Sequence, residues 1–119
     1  MKRTANVTFQ LRFRILCGKE IAMGPGKADL LEQVAAQGSI SKAAKQLGMS
    51  YMRAWTLIKT MERCFQDPLV KVSRGGAKHG GAQLTARGRQ ILKLYRQMEK
   101  DGLLATTAIR NSIAKLMRG

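Results

Sequence analysis

The sequence predicts an α+β domain that is mainly α, and three observations lead to that assignment. Two short helical segments meet at a tight turn at Gly48, two strand-like runs flank a glycine-rich stretch within residues 69–84, and a long helical pattern follows Thr85. Alternating apolar residues near the N-terminus add a β-strand or hairpin. This order predicts a winged helix-turn-helix with an N-terminal β-strand or hairpin and a long C-terminal helix.

Residues that begin and end helices mark the central turn. Ser39 and Ser50 are suited to cap the two helices, because a serine hydroxyl accepts a hydrogen bond from an early backbone N–H. Gly48 lies where the first helix must end, since glycine adopts the left-handed conformation at little cost. The small Ala43 and Ala44 allow the helices to approach closely.

The second helix is predicted to run from Tyr51 to about Cys64, with one apolar face. The residues spaced by three or four positions on that face are Ala54, Ile58, Met61 and Phe65. Such spacing places them on one side of a helix, so we expect them to face the core together with Leu47. The opposite side is then left exposed.

The segment before this unit predicts a strand, a turn and a helix. The apolar residues that alternate along the strand are Val7, Phe9, Leu11, Phe13 and Ile15. Gly18 and Lys19 allow a turn, after which Glu20 to Met23 returns as a short second strand. The run at residues 24–26 (Gly-Pro-Gly) is expected to break the chain, and helical spacing follows at residues 27–37.

After Pro68 the pattern predicts a β-hairpin. Residues 69–72 and residues 82–84 are strand-like, and the glycine-rich loop between them is basic. This is the form of a wing, the hairpin that accompanies some helix-turn-helix units.

Thr85 is suited to cap the last long helix. Its apolar residues expected on one side are Ile91, Leu94, Tyr95 and Met98. The helix either continues through Gly102 or breaks there. The later apolar positions are Ala105, Ile109, Ile113 and Leu116. We therefore divide the chain into a winged helix-turn-helix domain at residues 1–102 and a helical extension at residues 103–119, a candidate part of a dimer interface.

The composition favours a polyanionic partner. Lysine and arginine number 22 against 7 aspartate and glutamate, which gives a net charge of +15, and a hydrophobic fraction of 45% supports a folded core. A membrane surface is the rival polyanion, but the basic residues are spread along the whole chain. No run approaches the roughly 18 apolar residues that span a membrane. Nucleic acid is the favoured partner.

Cysteine and histidine usage argues against a metal site. Cys17 and Cys64 lie far apart in the sequence and His79 is the single histidine, so zinc lacks ligands and no cofactor is expected. The cysteines are expected to be reduced and buried in a cytoplasmic protein. Lys2 and Arg3 precede no apolar run, so the start is not expected to be a signal peptide.

The exposed side of the second helix carries the predicted base contacts. Its candidate DNA-binding residues are Ser50, Tyr51, Met52, Arg53, Trp55, Thr56 and Lys59. A recognition helix reads base edges mainly through its N-terminal residues, which favours Tyr51, Met52 and Trp55. Ser50 and Lys59 are expected to meet phosphate oxygens. Burial in the core is an equal alternative for Trp55.

Further phosphate contacts are predicted on the first helix and on the wing. Lys42 and Lys45 lie on the helix that crosses the DNA backbone in such motifs, and Arg74, Lys78 and His79 lie in the glycine-rich loop. Plain solvation is the alternative for the two lysines, and a solvated basic loop is the alternative for the wing.

Several ordered motifs add a family resemblance. They are Met23-Gly24-Pro25-Gly26-Lys27, Gly38-Ser39-Ile40-Ser41 with Ala43-Ala44, Gly48-Met49-Ser50-Tyr51 with Ala54-Trp55, and a Gly-Gly-x-x-x-Gly-Gly wing before Leu84-Thr85. From about Leu11 to Met98 the chain resembles the DNA-binding domain of ModE-type molybdate-responsive repressors, within the LysR-type winged helix. The resemblance implies a two-fold dimer on operator DNA, with residues 50–59 as recognition helix and the helix from Thr85 onward as a dimer seam.

The resemblance does not carry molybdate sensing with it. In that family molybdate binds to a separate C-terminal pair of small β-barrel domains, whereas here only helical sequence follows the wing up to Gly119. Two expectations stay open. The protein is either a stand-alone regulator of molybdenum-related genes without its own sensor, or it answers another signal through an effector-sensing partner protein.

Two functions from different classes are left to weigh. The leading hypothesis is a sequence-specific transcriptional regulator, a repressor that binds double-stranded DNA as a homodimer. The alternative is an architectural, nucleoid-type protein that binds DNA without regard to sequence, because a charge of +15 makes strong background binding certain at low salt. An enzyme is disfavoured, since one histidine and no nucleophile beside a base leave no catalytic group to assign.

Overall fold

The computed structural model of the 119-residue chain describes residues 7–73 and 81–117. Within those ranges the chain forms two antiparallel hairpins and five helices. The elements are β1 (Ile15–Cys17), β2 (Glu20–Met23), α1 (Pro25–Gln37), α2 (Ile40–Gln46), α3 (Tyr51–Phe65), β3 (Val70–Ser73), β4 (Gly81–Leu84), α4 (Ala86–Ala105) and α5 (Thr107–Lys115). This confirms the α+β, mainly α class and the winged helix-turn-helix order.

Helices α2 and α3 form the predicted helix-turn-helix, and their ends are fixed by local hydrogen bonds. The Ser39 hydroxyl accepts from the backbone N–H of Lys42 at 3.1 Å, and the Ser50 hydroxyl accepts from that of Arg53 at 3.1 Å. Gly48, between the helices, has a φ of +67°, in the left-handed region. The capping residues therefore act where the sequence predicts.

The core is enclosed by α1, α2 and α3, by β2 and β4, by the wing root (residues 69–70, where the chain enters β3), and by one residue of α4. The buried residues are Met23, Ala28, Leu30, Leu31, Val34, Ile40, Ala43, Ala44, Ala54, Ile58, Met61, Leu69, Ala82, Leu84 and Tyr95. The predicted inner face of α3 is confirmed at Ala54, Ile58 and Met61. Leu47 and Phe65 are half-buried at the margin of this cluster.

The expected chain break at residues 24–26 is instead the beginning of α1. Pro25 occupies the first helical turn, where a missing N–H costs nothing because that N–H has no partner within the helix. The carbonyl of Gly24 accepts the first helical hydrogen bond, from Ala28 N at 2.9 Å.

The wing is an antiparallel hairpin of β3 and β4. Its register runs from Val70 opposite Leu84 to Ser73 opposite Gly81. The strands confirm the predicted hairpin. The tip at residues 74–80, which contains the candidate contacts Arg74, Lys78 and His79, lies outside the described residues.

Leu69 joins α3, the wing and α4. Its backbone N–H donates to Glu62 Oε2 at 2.9 Å, and its carbonyl accepts from the backbone N–H of Thr85 at 2.9 Å. The Thr85 hydroxyl donates to Pro68 O at 2.8 Å and accepts from the N–H of Gly88 at 3.0 Å, so it caps α4 as predicted. A Cβ on Gly88 would overlap the Leu69 carbonyl oxygen. Only glycine allows α4 to approach the wing root this closely.

The predicted N-terminal strand forms only at its end. Side chains from residue 7 to residue 14 alternate between half-buried and exposed, as expected, but this segment joins no sheet. Pairing begins at Ile15, which is 41% exposed and lies opposite Met23. The segment packs on a helix instead, since the Tyr95 hydroxyl on α4 donates to Phe13 O at 2.7 Å. Its burial period of two reflects contact with α4 rather than a sheet.

Helix α4 continues through Gly102, which settles the choice that the sequence left open. The helix ends at Ala105, and a turn at Thr106 separates it from α5. A Cβ on Gly102 would lie 2.6 Å from Leu11 Cδ1 and 3.1 Å from Phe13 Cζ. This glycine therefore makes room for the N-terminal segment and does not stop the helix. The division at residues 102 and 103 stays a prediction.

Arg110 of α5 forms hydrogen bonds that link this helix to the end of α4. Its guanidinium donates to the carbonyl of Leu103 at 2.7 Å and to the hydroxyl of Thr106 at 3.1 Å. The same group lies 5.4 Å from the centroid of the Phe9 ring. The end of α4, the start of α5 and the N-terminal segment thus meet at one side chain.

The four apolar residues predicted to share one side of α4 differ in burial. Tyr95 is buried and Ile91 and Met98 are half-buried, but Leu94 is 62% exposed. No residue of α5 is buried. The exposed apolar residues of these two helices are Leu94, Leu104, Ile109 and Ile113, and Leu116 and Met117 follow them. We call this set of exposed side chains the C-terminal apolar face, and no residue of the described chain buries any of them.

The expectation of buried cysteines is wrong for Cys17, which is exposed because β1 belongs to a hairpin of only two strands. Cys64 is half-buried near β2, and its thiol lies 3.8 Å from Glu20 Oε1. Partial burial raises the pKa of the Cys64 thiol, and the neighbouring Cys17 and Glu20 add to that effect. Both cysteines are free.

We predict that Gly88→Ala destabilises the domain, because the new methyl group must displace the backbone of Leu69. Overpacking of this kind typically costs about 1–3 kcal/mol. The matched control is Gly26→Ala, also within a helix, where an added Cβ meets nothing within 4 Å. Urea unfolding followed by circular dichroism measures both. Equal unfolding free energies for the two variants would contradict the close approach of α4 to Leu69.

Candidate nucleic-acid interface

The first turn of α3 projects several of the predicted base-contact residues into solvent. Tyr51 is 46% exposed and Met52 is 64% exposed, and Arg53 and Thr56 are exposed as well. The cap at Ser50 fixes where α3 begins and therefore which of these side chains face outward. The exposed N-terminal turn of a helix is the part that reaches base edges in helix-turn-helix proteins.

Trp55 is half-buried, so it falls between the two alternatives that the sequence left open. Its ring is stacked on Tyr51 with 6.4 Å between the ring centroids and 13° between the planes. It also packs against the margin of the core. The two rings present one aromatic surface at the start of α3.

Lys59 has partners within its own helix. Its Nζ lies 4.4 Å from the centroid of the Trp55 ring and 3.2 Å from Glu62 Oε1. Sequence reasoning predicted a phosphate partner for Lys59 and did not single out Glu62. The spacing could have predicted this ion pair, because an acidic residue three positions after a lysine lies on the same helical face.

A groove of about 890 Å³ lies where α2, the start of α3 and the wing strands meet. The residues that line it include Ser41, Lys42, Tyr51, Val72 and Ser73. The structure therefore brings Lys42 of α2 and Tyr51 of α3, both predicted contact residues, to one concave surface. Lys45 is exposed on α2 but does not line the groove.

A basic residue of the wing strand was missed by sequence reasoning. Lys71 lies on β3 with its side chain exposed, between Val70 and Val72. It pairs in register with the exposed Gln83 of β4. The alternation of the strand places Lys71 on the opposite face from Val72, so this lysine does not line the groove.

The acidic residues are kept away from this surface. No aspartate or glutamate occurs at residues 33–61 or at residues 68–98, the stretches that supply α2, most of α3 and the wing. Three of the acidic residues surround one arginine on α4 instead: Arg96 binds Asp29, Glu32 and Glu99 at 2.8, 2.6 and 3.0 Å. Although burial opposes the charge, these three carboxylates raise the pKa of Arg96 above its ordinary value.

Lys27 adds a cation beside α3. Burial lowers the pKa of Lys27, and the nearby positive charge of Arg53 acts in the same direction, whereas Cys64 and Glu20 oppose the shift. Arg53 therefore lies near enough to the first turn of α1 for its positive charge to affect the pKa of Lys27. Helix α2 and the first turns of α3 carry basic residues and no aspartate or glutamate of their own, which suits a polyanion.

Comparison with solved structures confirms the fold. The DNA-binding domain of CbnR, solved in complex with DNA, aligns with a TM-score of 0.58 at 24% identity, over 77% of this chain and 97% of that one. LysG from Corynebacterium glutamicum, solved with bound arginine effector, aligns with a TM-score of 0.57 at 22% identity, over 78% of this chain and 30% of that one.

Curated relatives confirm the resemblance to ModE. The molybdenum transport protein ModE of Azotobacter vinelandii is 42% identical over 78 residues, which are 66% of this chain and 29% of that protein. The DNA-binding transcriptional dual regulator ModE of Escherichia coli K12 is 41% identical over 71 residues, 60% and 27% of the two chains. MopB of Rhodobacter capsulatus, a molybdenum-pterin-binding protein, is 32% identical over 101 residues, which are 82% of this chain and 37% of that protein.

This chain thus corresponds to less than a third of the length of the two ModE proteins. Residues 27–89, more than half of the chain, match the lysR family of bacterial regulatory helix-turn-helix proteins. The match begins within α1 and ends within α4, so it contains the helix-turn-helix and the wing. The protein belongs to the lysR family of bacterial regulatory helix-turn-helix proteins.

Proposed function

We propose that this protein is a dimeric, sequence-specific transcriptional regulator that binds double-stranded DNA and represses molybdenum-related genes in the cytoplasm. The observation that carries the proposal is the carboxylate-free surface on which the start of α3, the basic face of α2 and the wing strands meet. Family membership supports a regulatory role, and the ModE relatives support the link to molybdenum.

The proposed contacts fall into two classes. Tyr51, Met52 and Trp55 lie at the start of the recognition helix and are assigned to base edges, where sequence is read. Lys42 and Lys45 are assigned to phosphate oxygens, which fix the position of the protein on the duplex. Ser50, Arg53 and Thr56 complete the helix contacts, and the wing-tip residues Arg74, Lys78 and His79 remain proposed phosphate or minor-groove contacts.

The proposed dimer forms through the C-terminal apolar face. That face runs along α4 and α5, and α5 has no buried residue in the single chain. A second copy would cover these side chains, and burial of apolar surface is worth about 25 cal/mol per Å². A two-fold dimer presents two recognition helices, which suits a palindromic site. An effector signal would then reach the dimer through a partner protein.

The architectural alternative rests on charge alone. Of the three relatives described above, one is named as a DNA-binding transcriptional regulator. Among the described residues, no helix has both the length and the apolar character to cross a membrane, and no group of three or more metal-ligating side chains occurs. Membership of a family of helix-turn-helix regulatory proteins supports DNA binding as the proposed activity.

Selection of duplexes from a random pool at about 150 mM salt tests sequence-specific binding. We expect a two-fold symmetric motif with half-sites about one helical turn apart. In the same assay Tyr51→Ala should relax the motif, because it removes an aromatic ring from the helix start and leaves Trp55 without its stacking partner. A pool without any motif from the wild-type protein would favour the architectural alternative.

Lys42→Ala should weaken binding to all duplexes and reduce the slope of log K against log salt by about 0.9, the value for one lost phosphate contact. Lys115→Ala is the matched control, because it removes the same charge at the end of α5, far along the chain from the recognition helix. Titrations at several salt concentrations measure both slopes. If the two variants changed the slope equally, Lys42 would contribute only to the overall charge.

Changing Ile109 and Ile113 together to Gln should shift the protein toward the monomer, because both side chains are exposed on the C-terminal apolar face. The control changes Asn111 and Lys115 to Ala, two exposed residues on the other side of α5. Analytical ultracentrifugation measures the association constant. Equal association constants for the two variants would place the dimer interface elsewhere.

A further inference from the structure

A chain of side-chain contacts runs along one face of α3 from its first turn to the wing. Tyr51 stacks on Trp55, and the Lys59 ammonium lies over the Trp55 ring at 4.4 Å. Lys59 in turn binds Glu62 Oε1 at 3.2 Å. These residues recur at intervals of three and four positions, so they share one helical face.

The other carboxylate oxygen of Glu62 binds the root of the wing. Glu62 Oε2 accepts from the backbone N–H of Leu69 at 2.9 Å and from that of Val70 at 3.2 Å. The Glu62 side chain is only 14% exposed, whereas that of Lys59 is 48% exposed. One carboxylate therefore connects the outward face of the recognition helix to the first residue of β3.

Resting on the DNA-binding function proposed above, we infer that Glu62 is a positioning residue for sequence readout: it holds Lys59 over Trp55 and holds the wing root on the recognition helix. Lys59 then acts on the aromatic pair and not on a phosphate. The lysine orients Trp55, and Glu62 orients the lysine.

Electrostatics explains why the carboxylate matters. On a carboxylate-free basic surface, an unrestrained lysine on α3 would turn to the nearest DNA phosphate, because each such contact releases a counterion. A phosphate contact strengthens binding to every sequence and carries no sequence information. By neutralising Lys59, Glu62 lowers background binding and keeps Trp55 in place. The ion pair between Glu62 and Lys59 thus lowers the affinity for DNA of any sequence and raises the preference for the selected site.

Glu62→Gln isolates the ion pair. The glutamine carbonyl oxygen can still accept from Leu69 and Val70, but its NH₂ group cannot bind an ammonium group. We expect the slope of log K against log salt on random DNA to become steeper by about 0.9, because the released Lys59 makes one additional phosphate contact. The preference for the selected site over random DNA should fall about three- to tenfold, as Trp55 loses its cation.

Glu32→Gln is the matched control for charge. It also raises the net charge by one, but it removes only one of the three carboxylates on Arg96, which joins α1 to α4 and is not part of this contact chain. Its salt slope and its sequence preference should match those of the wild-type protein. The inference is overturned if Glu62→Gln and Glu32→Gln share one slope and one preference.

Lys59→Met provides an independent measurement that leaves Glu62 and its bonds to the wing unchanged. We expect the salt slope to stay at the wild-type value while sequence preference falls, because Lys59 makes no phosphate contact in the inferred arrangement. A slope that drops by about 0.9 would show that Lys59 binds a phosphate already and would overturn the inference. This variant decides the matter if Glu62→Gln fails to fold.

The outcomes separate this inference from the proposed function. A wild-type protein that prefers no duplex would refute the regulator proposal. The salt slopes of Glu62→Gln and Lys59→Met on random DNA would still show whether Lys59 contacts a phosphate. A wild-type protein with a clear preferred site, together with variants that leave slope and preference unchanged, would refute the role of Glu62 alone.

Discussion

Leu69 is the residue on which the arrangement of the whole domain depends. Its side chain is fully buried, its N–H donates to Glu62 of α3, and its carbonyl accepts from the N–H of Thr85 at the start of α4. The backbone of Gly88 then packs directly against that carbonyl. Because α3, the wing and α4 all meet at this peptide unit, none of them can shift relative to the others without breaking a hydrogen bond or opening the core.

Ion pairs hold several of the acidic residues away from the surface of α2 and the first turns of α3. Arg96 forms ion pairs with three carboxylates between α1 and α4. Near the wing root, the Arg87 guanidinium lies 3.4 Å from the Asp67 carboxylate. These ion pairs hold the acidic side chains near the helices that stabilise the domain. The surface formed by α2 and the first turns of α3 keeps its positive potential, since no carboxylate of its own opposes it.

The parts of the fold that depend on local chemistry could be predicted, and those that depend on distant partners could not. Ser39, Gly48 and Ser50 act through their own backbone neighbourhood, so their residue types suffice. Leu94 has an apolar side chain at helical spacing, yet its exposure depends on what packs against α4. For the candidate site, the outward residues of α3 followed from periodicity, whereas the bond from Glu62 to the wing root required knowledge of where residue 69 lies.

The N-terminal segment has a consequence for geometry on DNA. Phe9 and Leu11 lie against the far end of α4 and the start of α5, on either side of the turn at Thr106, and Arg110 closes the joint. In the proposed dimer, which forms along α4 and α5, the angle between those two helices would influence the distance between the two α3 helices on DNA. The spacing of the half-sites would then be encoded partly in a segment that has no helix or strand of its own.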